Sequence, residues 1–128
     1  MRVAELMQTD LSTIHVDDRV SDAVERLAEA HVSGLPVLDD RGALVGVVST
    51  TDIMVAESES ESSRRRGATV RELMTPRPLT IGADDDVRAA ARQMLYAEVH
   101  RLFVEADHRP VGVISQTDIV RAVANGQL

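Results

Sequence analysis

Apolar residues fall in short blocks along this chain, and their spacing alternates between helical and extended. Val20, Ala23, Val24, Leu27 and Ala30 recur at three- and four-residue steps, which predicts an amphipathic helix over residues 20–31. Leu35-Pro36-Val37-Leu38 and Ala43-Leu44-Val45-Gly46-Val47-Val48 are continuous apolar runs around the turn sequence Asp39-Asp40-Arg41-Gly42, so they predict two strands of a hairpin. Residues 3–7 read as a short amphipathic helical turn, residues 13–16 as a brief extended segment, and residues 49–55 as a final helix. Ser33-Gly34 is the expected stop of the long helix, glycine being free to take positive φ.

The same order then repeats. Val3-Ala4-Glu5-Leu6-Met7 returns as Val70-Arg71-Glu72-Leu73-Met74, Ile14 as Ile81, Asp17-Asp18 as Asp84-Asp85, and Val20 and Ala23 as Val87 and Ala90. After a one-residue slip in a turn, Gly46-Val47-Val48-Ser49-Thr50-Thr51-Asp52-Ile53 is matched by Gly112-Val113-Ile114-Ser115-Gln116-Thr117-Asp118-Ile119. The second half is therefore expected to hold a helix over 87–99, strands over 102–105 and 111–114, and a helix over 115–123. Its hairpin turn is expected at Asp107-His108-Arg109-Pro110. An internal duplication of this kind predicts an α/β (α+β) fold of two β-α-β-β-α repeats related by a pseudo-twofold axis. Repeat 1 is expected at 1–56 and repeat 2 at 68–128. Between them, 57–67 carries acidic-serine residues and then Arg64-Arg65-Arg66, with no apolar residue, and reads as a solvated linker.

Composition narrows the chemistry. The 128 residues carry a formal net charge of −7, which disfavours a nucleic-acid surface or a polybasic membrane anchor. There is no cysteine and no lysine, so thiol nucleophiles, thiolate metal sites, Schiff bases and a phosphate-loop lysine are excluded. No apolar run has the length of a signal peptide or a membrane span, so a soluble cytoplasmic protein is expected. Aromatic residues make up only 2%, and the core must be aliphatic.

Candidate chemistry centres on the two strand-to-helix junctions. Ser49-x-x-Asp52 and Ser115-x-x-Asp118 have the spacing of a capping box, which accounts for the motif without any ligand. The same atoms also suit a nucleotide. A phosphate could rest on the free N–H groups of the helix start and on the Thr51 or Thr117 hydroxyl, with the Asp carboxylate taking bonds from neutral donors such as ribose hydroxyls. The acidic groups at Asp17-Asp18 and Asp84-Asp85-Asp86 sit at helix starts, where the dipole favours them. His15, His31 and His108 have no partner at metal-ligand spacing, and no metal is expected.

Two such units, each opening with Leu-Met and closing with Gly-Val-hydrophobic-Ser-x-x-Asp-Ile, resemble a tandem cystathionine-β-synthase (CBS) domain pair of the stand-alone bacterial or archaeal type. The resemblance implies a non-enzymatic regulatory module that senses an adenosine-containing nucleotide in the cleft between the repeats. AMP, ADP or ATP comes first, with S-adenosylmethionine or NAD as further possibilities, and no cofactor is required. It implies ribose and phosphate contacts from Ser49, Thr51, Asp52, Ser115, Thr117 and Asp118, and an adenine pocket drawing on Thr13, Ile14, His15, Leu35, Pro36, Thr80, Ile81, Leu102 and Phe103. His100-Arg101 resembles the family's phosphate-gripping pair, arginine being suited to bidentate phosphate binding. Ser33-Gly34 stand at that position in the first repeat, so the two potential sites are not equivalent. The resemblance also implies a disc-like homodimer packed through the long helices, where Ala89, Ala90 and Ala91 permit close approach, and a regulated partner protein. The alternative is a ligand-free dimerisation or protein-interaction module.

Overall fold

The computed structural model describes residues 1–59 and 68–128. The Arg64-Arg65-Arg66 run of the expected linker lies outside the described residues. After a 3-10 turn at Val3–Glu5, the first half runs β1 (Ile14–His15), α1 (Val20–Ala30), β2 (Gly34–Leu38), β3 (Leu44–Ser49) and α2 (Thr50–Ser58). A short helix α3 (Val70–Leu73) and a strand β4 (Thr75–Pro76) open the second half, followed by β5 (Thr80–Gly82), α4 (Val87–Ala97), β6 (Arg101–Ala106), β7 (Arg109–Ser115) and α5 (Gln116–Ala124). The β-α-β-β-α order expected from the hydrophobic pattern is thus present twice.

In the first sheet β1 runs parallel to β2, with Ile14 opposite Val37, while β3 is antiparallel to both β2 and β4. In the second, β5 is parallel to β6, with Ile81 opposite Val104, and β6 is antiparallel to β7. Each parallel pair needs a crossover, and the amphipathic helices α1 and α4 provide it while burying their apolar stripes. Val20, Ala23 and Leu27 are the buried face of α1, and Val87, Ala90 and Met94 that of α4.

The chain forms two compact units whose limits differ from the sequence repeats. One contains Met1–Leu11 and Leu79–Leu128, the other Ser12–Pro78. Each repeat's opening turn is therefore built into the other repeat's core. Val3 N–H donates to Asp85 O at 2.8 Å and Ala4 N–H to Ala83 O at 2.9 Å; Val70 N–H donates to Asp18 O at 2.8 Å and Arg71 N–H to Val16 O at 2.9 Å. Val3 and Val70 are both fully buried, Val3 among Ile81, Leu102 and Ile114, Val70 among Ile14, Leu35 and Val48.

The exchanged segments continue over the sheets and explain two glycines. A Cβ on Gly112 would lie 2.7 Å from Met7 Sδ and 2.8 Å from Gln8 O, and one on Gly46 would lie 2.6 Å from Met74 Sδ and 3.0 Å from Thr75 O. Periodicity did not reveal β4, because Thr75–Pro76 is too short and too exposed to carry a pattern.

Several boundaries differ from expectation for local reasons. Helix α1 ends at Ala30, and the positive-φ residue is His31 (φ 53°) rather than Gly34, which opens β2. Helix α4 ends at Ala97, short of Val99, with Glu98 in the same left-handed conformation (φ 57°). The second hairpin has a two-residue turn, Asp107-His108, with both φ positive (52° and 65°), as a type I′ turn requires; Arg109 and Pro110 belong to β7. Helix α2 runs on to Ser58, past the expected end at Val55, because Ala56 is still buried and Glu57 is a good helix former.

Candidate functional site

Both junctions form a complete capping box. Ser115 is the last residue of β7 and the N-cap of α5; its Oγ accepts the Asp118 N–H at 3.1 Å, and Asp118 Oδ2 accepts the Ser115 N–H at 2.9 Å. At the first junction the corresponding distances are 3.2 and 2.8 Å, and the Ser49 hydroxyl also donates to Asp52 Oδ2 at 2.9 Å. These bonds satisfy N–H groups that the helix start would otherwise leave free.

Capping occupies one carboxylate oxygen of each Asp. The other is reached from the exchanged opening segment: Gln8 Nε2 donates to Asp118 Oδ1 at 3.2 Å, and Thr75 Oγ1 to Asp52 Oδ1 at 3.3 Å. The two donors occupy matching places in the duplication, each directly after the Leu-Met of its repeat. Asp118 is only 8% exposed, whereas Asp52 is half-buried. Arg121, one turn along α5, places Nη1 at 3.8 Å from Asp118 Oδ1.

A depression of about 410 Å³ opens over the second junction. Ser115, Thr117 and Asp118 form its floor at the start of α5, Arg101 and Val113 come from β6 and β7, and Gln8 and Arg121 complete it. The volume lies within the usual range of small-molecule sites. Ser115, Thr117, Asp118 and Arg101, all singled out in the sequence, are brought together here. Gln8, Val113 and Arg121 were not singled out, although the i, i+3 spacing from Asp118 would have found Arg121.

The remaining candidate residues are placed as follows. Ile14, Leu35, Ile81 and Leu102 are core residues, and Pro36 is buried beside them. Thr13 and Thr80 are half-buried, and their carbonyl oxygens accept Arg26 Nη1 and Gln93 Nε2, residues at matching positions on α1 and α4. Phe103 is half-buried between Thr80 and Val113. His100 is exposed; its Nδ1 lies 3.1 Å from Gln116 Oε1, and its carbonyl accepts the Gln116 N–H. Thr51 is exposed in the first turn of α2.

The acidic groups at the helix starts brace turns. Asp18 Oδ2 accepts the His15 N–H at 3.0 Å, and Asp85 Oδ2 accepts the Gly82 N–H at 2.9 Å. Asp86 caps α4 through the Arg88 N–H at 2.8 Å, and that bond holds its carboxyl below the usual carboxylate range. The Ala43 N–H, helped by that of Arg41, does the same for Asp39 in the first hairpin turn. His15 gathers with Asp17 and Asp40 so that one ligand-type atom of each lies within 4.8 Å of the others, a grouping that chain spacing did not reveal. Its Nδ1 accepts the Asp17 N–H at 3.1 Å and its Nε2 faces Asp40 Oδ1 of the first hairpin turn at 2.8 Å, so both ring nitrogens are engaged. No helix among the described residues is long and apolar enough to cross a membrane.

The relatives agree with this architecture. The chloroplastic CBS domain-containing protein CBSX2 of Arabidopsis thaliana is 32% identical over 88% of this chain. The chain spans 58% of that relative's length, and 63% of that of the related CBSX1. The crystal structure of CBSX2 in complex with AMP matches with a TM-score of 0.84 and 35% identity, covering 99% of this chain and 98% of that one. The CBS domain pair of protein MJ0100, crystallised with 5′-methylthioadenosine and S-adenosyl-L-methionine, matches with a TM-score of 0.80 and 26% identity over 100% of this chain and 98% of that one. The sequence model of the CBS domain matches twice, at residues 3–59 and 70–125, and this chain belongs to the CBS-domain family as a tandem pair.

Proposed function

We propose that this protein is a regulatory module that binds an adenosine-containing ligand, with AMP, ADP or ATP foremost, in the depression over α5. The observation that carries the reading is the convergence of Arg101, Ser115, Thr117 and the buried Asp118 on one cavity. Its support from relatives is that a chain 35% identical over nearly the full length was crystallised with AMP. In this reading vicinal ribose hydroxyls displace the Gln8 amide from Asp118 Oδ1, and the phosphate lies against Arg101 and the hydroxyls at the helix start. A neutral hydroxyl donor suits Asp118, whereas a phosphate facing the carboxylate directly would be repelled.

The module binds without turnover: Ser115 Oγ is held in the cap rather than activated by a base, and the lining offers no histidine beside it. Binding would shift the population of a conformation recognised by a partner protein. A homodimer is part of the same proposal, since Val120 and Val123 on α5 and Leu95 and Tyr96 on α4 are large and more than half exposed. Light scattering after size exclusion tests that component.

The complete capping boxes favour a second reading, a ligand-free interaction module. Thermal shift against AMP, ADP, ATP, NAD and S-adenosylmethionine separates the two. A ligand at 100 times its Kd adds about 2.7 kcal/mol, which raises Tm by about 10 °C for a chain of this size. No shift at millimolar concentration with any of the five would leave only the interaction module.

A further inference from the structure

We infer that Arg121 is the specificity-determining residue of this depression, making it select adenosine ligands that carry negative charge over uncharged or cationic ones. The inference rests on the adenosine reading above and goes further in naming the ligand class and the residue that sets it. Three features support it.

The first is the charge of the lining. Arg101 and Arg121 line the depression with a single carboxylate, Asp118, so its lining carries one excess positive charge. A ribose hydroxyl bound to Asp118 leaves that excess unchanged. A phosphate monoester, with about −1.5 to −2 charges at neutral pH, compensates it. Uncharged 5′-methylthioadenosine does not, and the sulfonium of S-adenosylmethionine adds to it.

The second is how loosely Arg121 is held. Its nitrogen lies 3.8 Å from Asp118 Oδ1, beyond hydrogen-bond length, and the side chain is 62% exposed. Exposed pairs of this kind are weak, so the guanidinium is free to turn from the carboxylate to an incoming anion. Gln8 donates to the same oxygen at 3.2 Å, and the ribose hydroxyls that displace it donate there in turn, so Asp118 keeps a partner when Arg121 leaves.

The third is the other repeat, which acts as a control. Val55 stands at the position of Arg121 and Gly34 at that of Arg101, yet the Ser49–Asp52 capping box is complete. The junction fold therefore does not need either arginine. Arg121 answers to something other than the cap, and a phosphate or comparable anion is the chemistry that fits a forked, permanently charged donor beside a second one.

The test is calorimetric titration of the full chain and its Arg121→Val variant with AMP, adenosine and S-adenosylmethionine at two salt concentrations. Valine is the residue the first repeat uses at this position, so the variant is expected to fold; its far-UV spectrum and Tm verify this. The wild type is expected to bind AMP at least tenfold more tightly than adenosine. Arg121→Val should cut AMP affinity by about tenfold, leave adenosine affinity within a factor of about two, and flatten the salt dependence of AMP binding. Arg121→Lys should restore part of the preference. An unchanged AMP-to-adenosine ratio in Arg121→Val, or equal losses for the two ligands, overturns the role of Arg121 while leaving the adenosine site standing. Failure of the wild type to bind any of the three overturns the site itself, and this inference with it.

Discussion

Replacing Gly112 by alanine adds one methyl group at the point where the opening segment crosses β7. That methyl would sit 2.8 Å from Gln8 O, a backbone atom, and 2.7 Å from Met7 Sδ. The methionine can rotate away, but the carbonyl cannot yield independently, because Gln8 and Val113 exchange two backbone hydrogen bonds at 2.8 and 2.9 Å. Overpacking of this kind costs about 1–3 kcal/mol, and each backbone bond lost adds about 1 kcal/mol. With one of the two bonds lost, we therefore expect Gly112→Ala to destabilise the protein by about 2–4 kcal/mol, measured as a lower urea midpoint at constant m-value. Hydrogen exchange should show Gln8 and Val113 amides losing protection before the rest of the unit does. Gly34→Ala is the matched control. Its added methyl meets Val47 Cγ2 at 3.4 Å and Val48 O at 3.8 Å, ordinary contact distances, so its effect should stay within about 0.5 kcal/mol. Equal effects from the two substitutions would refute the claim that the crossing segment is what requires glycine at position 112.

Two further outcomes follow from local conformation and charge. Glu98 ends α4 in the left-handed region at φ 57°, so Glu98→Gly should raise stability by about 0.5–1 kcal/mol in thermal denaturation, where a substitution judged by helix propensity alone would lower it. Asp39 and Asp86 have carboxyls held below their ordinary value by backbone N–H groups, so their contribution is fully present above the unfolded value of 3.8 and is lost as pH falls through the lower folded values. Acid unfolding of Asp86→Asn should accordingly show a shallower dependence on pH below 4 than the wild type, and an identical slope would exclude Asp86 as a contributor.

The duplication and the β-α-β-β-α order were legible because both rest on periodicity: Val20, Ala23 and Leu27 of the expected α1 stripe are buried, as are Val87 and Ala90 on α4, whereas Val24, read into the same stripe, is 41% exposed. The Ser-x-x-Asp geometry was equally legible, since a capping box is local in the chain. Exchange of the opening turns was not. Val3 matches Val70 in sequence, and pattern alone cannot say whether each packs on its own repeat or on the other. The glycines at 46 and 112 held the missing clue, as they mark places where another backbone approaches. Gln8 escaped notice for the same reason, since it meets Asp118 across 110 residues of chain. The left-handed stop of α1 was expected at Ser33-Gly34 because glycine is the usual residue there, and it falls at His31; α4, expected to reach Val99, ends at Ala97 with Glu98 in the same conformation.

The exchange of opening turns also sets an order of events during synthesis. Residues 12–78 form one uninterrupted unit, which can close as soon as its last residue is available. The other unit brackets it: Met1–Leu11 leaves the ribosome before it but finds its hydrogen-bonding partners only in Leu79–Leu128. Arg2 and Asp84, joined by an ion pair at 3.1 Å, are 82 residues apart, and closing so long a loop from a disordered chain costs about 4 kcal/mol from its length dependence alone. Prior folding of the enclosed unit shortens the loop that must be closed. Synthesis therefore favours a sequence in which the central unit folds first and the buried valine at position 3 docks last, making docking of that N-terminal turn the step that completes the second unit.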